Sequence, residues 1–196
     1  MRLRLLTLGL AATVFAAGCS DDDDGGTAPT TEAGVRVVHA SPDAPNVDVV
    51  VVPVGGGGLI SGVSAAVKHL SPRTRVYGVE PHGAPGLRRA LDAGKVVRLD
   101  KLTTIAGGLA PPFAGDIALE HAQAFLSDVV LVSDAELLDG MRFIVDRARL
   151  VIEPSAAAGV AALLNGRIPL AEGETVAVVL SGGNVGLDKL AEWLRA

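Results

Sequence analysis

A single cysteine, one tryptophan, one tyrosine and an aromatic fraction of 3% in 196 residues set the first limits on this chain. One cysteine excludes an internal disulfide framework. Positive charge is not in excess: 17 Lys and Arg face 22 Asp and Glu, for a net charge of −5, which argues against nucleic acid as a partner. After the N-terminal segment no apolar run reaches the ~20 residues of a membrane-spanning helix. The four histidines, His39, His69, His82 and His121, are scattered without metal-ligand spacing and read as surface or half-buried side chains. Lysine is scarce too, confined to Lys68, Lys95, Lys101 and Lys189.

What is abundant is small and aliphatic. The 49% hydrophobic fraction comes mainly from Ala, Val and Leu, which suits parallel strands buried on both faces and Ala-rich packing helices. Strands are expected at Val47–Val54, Arg75–Val79, Asp128–Val132 and Thr175–Leu180. Helices are expected at Leu59–Leu70, Pro85–Ala93, Asp116–Leu126, Asp134–Ala148, Ser155–Leu164 and Leu187–Leu194. Ser133 with Glu136 three residues on forms a capping box for the helix at Asp134. Such alternation predicts βαβ units, hence an α/β fold: a three-layer parallel sheet flanked by helices.

Two glycine clusters, Gly55-Gly56-Gly57-Gly58 and Ser181-Gly182-Gly183-Asn184, each end a run of β-branched residues. Small residues there let backbone N–H groups approach an anion, and a following helix adds its dipole. The pair points to a phosphate-bearing cofactor at the carboxyl ends of parallel strands. The spacing matches neither GxGxxG nor a nucleotide-triphosphate loop, and tight strand-to-helix turns would use the same glycines.

Longer words narrow this. VPVGGGGLISGV (Val52–Val63), VYGVEP (Val76–Pro81), TIAGGLA (Thr104–Ala110), LVIEPSAAAGVAAL (Leu150–Leu163) and VAVVLSGGNVG (Val176–Gly186) occur in this order. Over about residues 48–196 the chain resembles the C-terminal half of the threonine/serine dehydratase and serine racemase family, pyridoxal-phosphate enzymes of fold type II. The resemblance implies a pyridoxal 5'-phosphate cofactor, a small hydroxy-amino acid as substrate, and elimination of ammonia to a 2-oxo acid. It implies that Gly55, Gly56, Gly57 and Gly58 bind the cofactor phosphate and that Ser181 hydrogen-bonds the pyridine nitrogen. A hydroxyl leaves that nitrogen largely neutral, which suits β-elimination. Glu153 would lie near the cofactor, although a Glu before Pro at a helix start also serves as a dipole partner. Glu80 and the Ala84 carbonyl match a divalent-cation site found in part of the family. Gly86 stands where a second carboxylate would be, and one carboxylate plus one carbonyl is a poor set for Mg²⁺ or Ca²⁺, so a weak site or none is expected. Gly107 replaces the aspartate of TIADGLA.

One essential part is missing. The family bonds its cofactor covalently to a lysine in an S-F-K-x-R-like motif well upstream of the glycine loop, and none of the four lysines here lies in such a motif. No ammonia-lyase activity is expected from this chain alone. A complementing half carrying the lysine, or oligomer formation through exposed sheet edges, is a further expectation.

The first fifty residues read differently. A basic start (Met1-Arg2-Leu3-Arg4), an apolar stretch (Leu5–Ala17) and Ala16-Ala17-Gly18-Cys19 follow the order of a secretory signal over residues 1–19. Cys19 sits at the acylated position of a bacterial lipobox. It is either lipidated or an ordinary small apolar residue, and the agreement of its flanks favours a lipid anchor to the membrane. Residues 20–34 are an acidic tether expected to be disordered. Residues 35–49 resemble the opening of a DUF4397 domain, a module of secreted bacterial proteins, which implies a surface lipoprotein with a binding or adhesion role. The expected location is therefore the cell envelope, as an outer-membrane lipoprotein. It is the cytoplasm if the two ends, joined near Val47–Val52, do not belong together. Natural fusion, recombination and assembly error are all compatible with that join.

Overall fold

The computed structural model describes residues Asn46–Arg195; the signal, the tether and residues 35–45 lie outside the described residues. Four parallel strands form the sheet: β1 (Val49–Pro53), β2 (Arg75–Pro81), β3 (Asp128–Val132) and β4 (Val176–Val178), in the order β3-β2-β1-β4. Six helices join and flank them: α1 (Gly58–Leu70), α2 (Gly86–Ala93), α3 (Asp116–Phe125), α4 (Asp134–Ala148), α5 (Pro154–Leu164) and α6 (Leu187–Arg195). This is the expected α/β fold, and among the described residues no helix is long and apolar enough to cross a membrane.

The valine run explains the centre. β1 is buried along its whole length because both faces are covered. Val50, Val52 and Val54 pack with Ile60 of α1, Leu87 of α2 and Ala118 and Ala122 of α3. Val49 and Val51 pack on the other face with Leu137 of α4 and Ala158, Ala161 and Ala162 of α5. Each fully buried valine contributes about 1.5–3 kcal/mol of transfer free energy, so the run fixes β1 as the middle of three layers. Gly159 lets α5 lie directly on the sheet, since a Cβ there would come within 2.6 Å of Val178 Cγ1. The Ser133–Glu136 capping box starts α4 as predicted, with both reciprocal bonds present.

Two expectations need correction. The last strand was expected to be buried on both faces like the first, but β4 is a half-buried edge strand of three residues, paired on one side only by β1. Its pairing persists one step further, where Val179 N–H donates to Val51 O (2.9 Å). The other concerns Thr103–Leu109, which carried no predicted element. It forms a strap across the strand ends that closes in a 3₁₀ turn, Gly107–Leu109. Thr103 N–H donates to Gly83 O (3.0 Å) after β2. Asp134, at the start of α4, accepts from Thr104 Oγ1 (2.5 Å) and Ile105 N–H (3.1 Å).

The strand order places a switch point. From β1 the chain moves outward through β2 to β3, then returns through α4 and α5 to place β4 on the other side of β1. The loops leaving β1 and β4 therefore diverge, opening a crevice at their carboxyl ends.

Candidate functional site

That crevice is a cleft of about 180 Å³ lined by Gly55–Gly58, Leu59, Gly108, Glu153, Ser155 and Ser181, among others. Both glycine clusters contribute to it because they leave the two strands at the switch point. α1 begins at Gly58 with no side-chain cap and no acidic residue in its first turn. Its first backbone bond runs from Ser61 N–H to Gly57 O (2.9 Å). The amides of Gly55, Gly56, Gly57 and Gly58 have no backbone acceptor among the described residues, so several donors and the positive end of a helix dipole converge on one spot.

The glycines are there for different reasons. Gly57 has φ 98°, and a Cβ on it would meet Ala118 Cβ at 2.1 Å, so α3 and the loop fit together only without a side chain. Gly55 backs onto the strap, since its Cβ would lie 2.8 Å from Gly108 O. Gly56 and Gly58 face open space. A Cβ would fill that space, which is what a cradle for a small anion requires.

The opposite wall comes from α5. Glu153 occupies its N-cap position, yet the side chain does not cap the helix. It lies instead along the second cluster, where a Cβ on Gly182 would come within 2.5 Å of Glu153 Oε1, and its amide donates to Gly182 O (3.2 Å). Glu153 thus lines the cleft while standing at the N-terminus of α5. Ser181 sits exposed at the cleft mouth, with no hydrogen bond from its hydroxyl to another described residue.

Ser155, which sequence reasoning did not single out, is buried in the same wall, and its Oγ accepts the Gly108 N–H (3.1 Å). Its only sequence signal was a small polar residue in the first turn of an otherwise apolar helix.

The proposed cation ligands are placed elsewhere. Glu80 is buried, and its carboxylate fills the N-terminus of α2, with Oε1 accepting from Leu87 N–H (2.7 Å) and Oε2 from Arg88 N–H (2.8 Å). Burial raises its pKa from 4.5 to about 7, against the pull of those amides and of the Arg88 charge. The Ala84 carbonyl accepts from Gly86 N–H (3.0 Å). With both carboxylate oxygens engaged by a helix and no second carboxylate, this donor set does not fit Mg²⁺ or Ca²⁺. Among the described residues no group of three or more His, Cys, Asp or Glu side chains gathers elsewhere to hold a metal.

No lysine lines the cleft. Lys68 Nζ, at the far end of α1, donates to Thr74 O (2.6 Å), and Lys189 pairs with Glu192 on α6 (2.8 Å).

Fold and site together define a parallel α/β protein with an amide-lined cleft at its topological switch point. The comparisons with known proteins give that class a family. The model of the family described as "Pyridoxal-phosphate dependent enzyme" matches residues 15–182, and the chain belongs to this family. It is 40% identical over 148 residues to an L-threonine ammonia-lyase of Thermotoga maritima, covering 76% of this chain and 36% of that protein. It is 35% identical over 156 residues to a serine racemase of Oryza sativa subsp. indica, covering 78% and 46%. Among solved structures, maize serine racemase superposes with a TM-score of 0.70 at 35% identity, covering 77% of this chain and 47% of that one. The chain thus spans less than half the length of the relatives it matches here.

Proposed function

We propose that this chain forms the phosphate- and ring-binding part of a pyridoxal-phosphate-dependent ammonia-lyase acting on small hydroxy-amino acids such as threonine and serine. We further propose that by itself it holds the cofactor without bonding to it and does not complete the reaction. The observation that carries this is the pairing, in one cleft, of free amides at Gly55–Gly58 with no lysine in the lining. The cofactor, when bound, supplies the electron sink for the substrate α-carbon. The chain's own residues bind and orient: the glycine amides and the α1 dipole take the phosphate, and Ser181 Oγ donates to the neutral ring nitrogen. Glu153, which also lines the cleft, would lie near the ring. What is absent is an amine to move the α-proton.

Titration with pyridoxal phosphate tests the reading. Saturable uptake is expected, and borohydride treatment should leave every lysine unmodified by mass. A reduced adduct on Lys68, Lys95, Lys101 or Lys189, or 2-oxobutyrate formed from threonine by the purified chain, would refute the inert half of the proposal.

A second reading has its own support. Leu59, Ile117, Val151 and Leu187 are 45%, 68%, 54% and 77% exposed. They sit on segments next to the glycine clusters: Leu59 lines the cleft, Gly115 N–H reaches Gly56 O (3.5 Å), the Val151 carbonyl abuts Gly183, and Leu187 begins α6 shortly after Asn184. This apolar rim supports docking of a separate polypeptide that carries the lysine, a complementing half. Ammonia-lyase activity on mixing with such a polypeptide tests it. The N-terminal features favour an envelope lipoprotein anchored through Cys19, and fatty-acid labelling that is lost on Cys19→Ala tests that location.

A further inference from the structure

We infer that Ser155 is the positioning residue that sets the wall of the cleft facing the glycine cradle, an inference that rests on the cofactor-site reading above. The strap is pinned along its course by backbone and carboxylate bonds at Gly83 and Asp134, but at the cleft the pin is Ser155. Its hydroxyl accepts the Gly108 N–H, and Gly108 in turn presents its carbonyl to Gly55, 2.8 Å from where a Cβ would stand. The chain of contact runs from α5, which is locked on the sheet by Gly159 and buried alanines, through Ser155 to Gly108 and then to the first glycine of the cradle. A hydrogen bond from a rigid helix therefore fixes this part of the cleft wall, beside the core packing of Leu109.

Leu109 seats the same turn by packing into the core, and Ser155 adds a side-chain hydrogen bond to its backbone at the cleft. A Cβ on Gly108 would sit 2.9 Å from Ser155 Oγ and 3.3 Å from Glu153 Oε1, so the turn is already seated as closely as a glycine allows. Ser155 also has a donor to spare. Its oxygen is used as the acceptor, and no acceptor for its own O–H proton exists among the described residues, although the residue is only 4% exposed and lines the cleft. Because Ser155 lines the cleft, that O–H is free to donate to an oxygen of a ligand there. Ser155 thus couples occupancy of the cleft to the position of the strap.

The test uses the full chain and two readouts: amide hydrogen exchange at Gly108, and affinity for pyridoxal phosphate with inorganic phosphate as a second probe. In Ser155→Ala, Gly108 should lose protection while the amides of β1 keep theirs, and both ligands should bind about tenfold more weakly. Gly108→Ala, which keeps the hydroxyl but forces the turn away, should weaken binding likewise. If Ser155→Ala does not fold, this variant decides the matter by binding within or beyond twofold of wild type. The inference is overturned if Gly108 stays protected in Ser155→Ala, or if protection is lost while affinity stays within twofold. A wild-type chain that takes up neither probe sinks the cofactor-site reading itself and the positioning role with it, whereas a wild type that binds while Ser155→Ala matches it sinks the positioning role alone.

Discussion

α1 and α2 each begin at the carboxyl end of a strand, and their N-termini are treated in opposite ways. At α2 the protein supplies its own anion: the Glu80 carboxylate accepts the Leu87 and Arg88 amides from inside the fold. At α1, the helix that leaves the central strand, there is no side-chain cap, no acidic residue in the first turn, and a row of glycine amides facing a cleft. The unsatisfied donors of a helix start need a partner; α2 finds it in Glu80, whereas α1 has no side-chain partner among the described residues. The contrast separates a helix start closed by a carboxylate of the fold from one that opens on a cleft. It also shows why Glu80 serves the fold rather than a cation.

The most damaging way to probe that contrast is Gly57→Ala. It meets both a left-handed backbone and the Ala118 side chain, and should cost about 2–4 kcal/mol in denaturant unfolding. Gly56→Ala, one residue earlier and facing open space, should leave stability within about 0.5 kcal/mol of wild type yet weaken phosphate binding. Equal loss of stability in the two variants would erase the distinction between a packed glycine and a cradle glycine.

The α2 side is probed by pH. With its folded-state pKa raised from 4.5 to about 7, Glu80 keeps a proton in the native state that the unfolded chain has already released. Stability should therefore fall as pH rises through that window and level off above it, by on the order of 1–3 kcal/mol. Glu80→Gln should flatten this segment of the profile of unfolding midpoint against pH. A profile unchanged by the substitution would mean that the amides and Arg88 hold the carboxylate ionised throughout.

Smaller effects are expected in the second glycine cluster. Gly182→Ala should push the Glu153 side chain aside, because the new methyl meets the end of a flexible side chain rather than backbone, and should cost less than about 1 kcal/mol of stability while changing cofactor affinity. Gly107→Asp, where a Cβ meets nothing within 4 Å, should be neutral within about 0.5 kcal/mol in thermal unfolding. Strong destabilisation there would mean that the strap is seated more tightly than its contacts indicate.

Much of this was legible along the chain because the signals are local. The valine run, the Ser133–Glu136 box and the glycine clusters each act through neighbours a few residues away, so β1, α4 and the start of α1 appear where periodicity and capping put them. The strap and Ser155 were not legible. Their partners, Gly83 for Thr103, Asp134 for Thr104 and Gly108 for Ser155, are set by how loops meet above the sheet, and no short-range pattern marks them. Glu153 shows the boundary within one residue: its neighbour Pro154 announces a helix start, but only the approach of Gly182 turns the side chain into the cleft.

By itself the sequence determined the layers, the parallel strands, the glycine loop at the start of α1 and the lack of a lysine near that loop, since composition and near-neighbour spacing carry these. Tertiary structure alone decided that β1 and β4 are neighbours across a switch point, that Glu80 caps a helix, and that Ser155 holds the wall of the cleft. Those outcomes depend on contacts between residues far apart in the chain, whose energies exist only once the sheet has assembled.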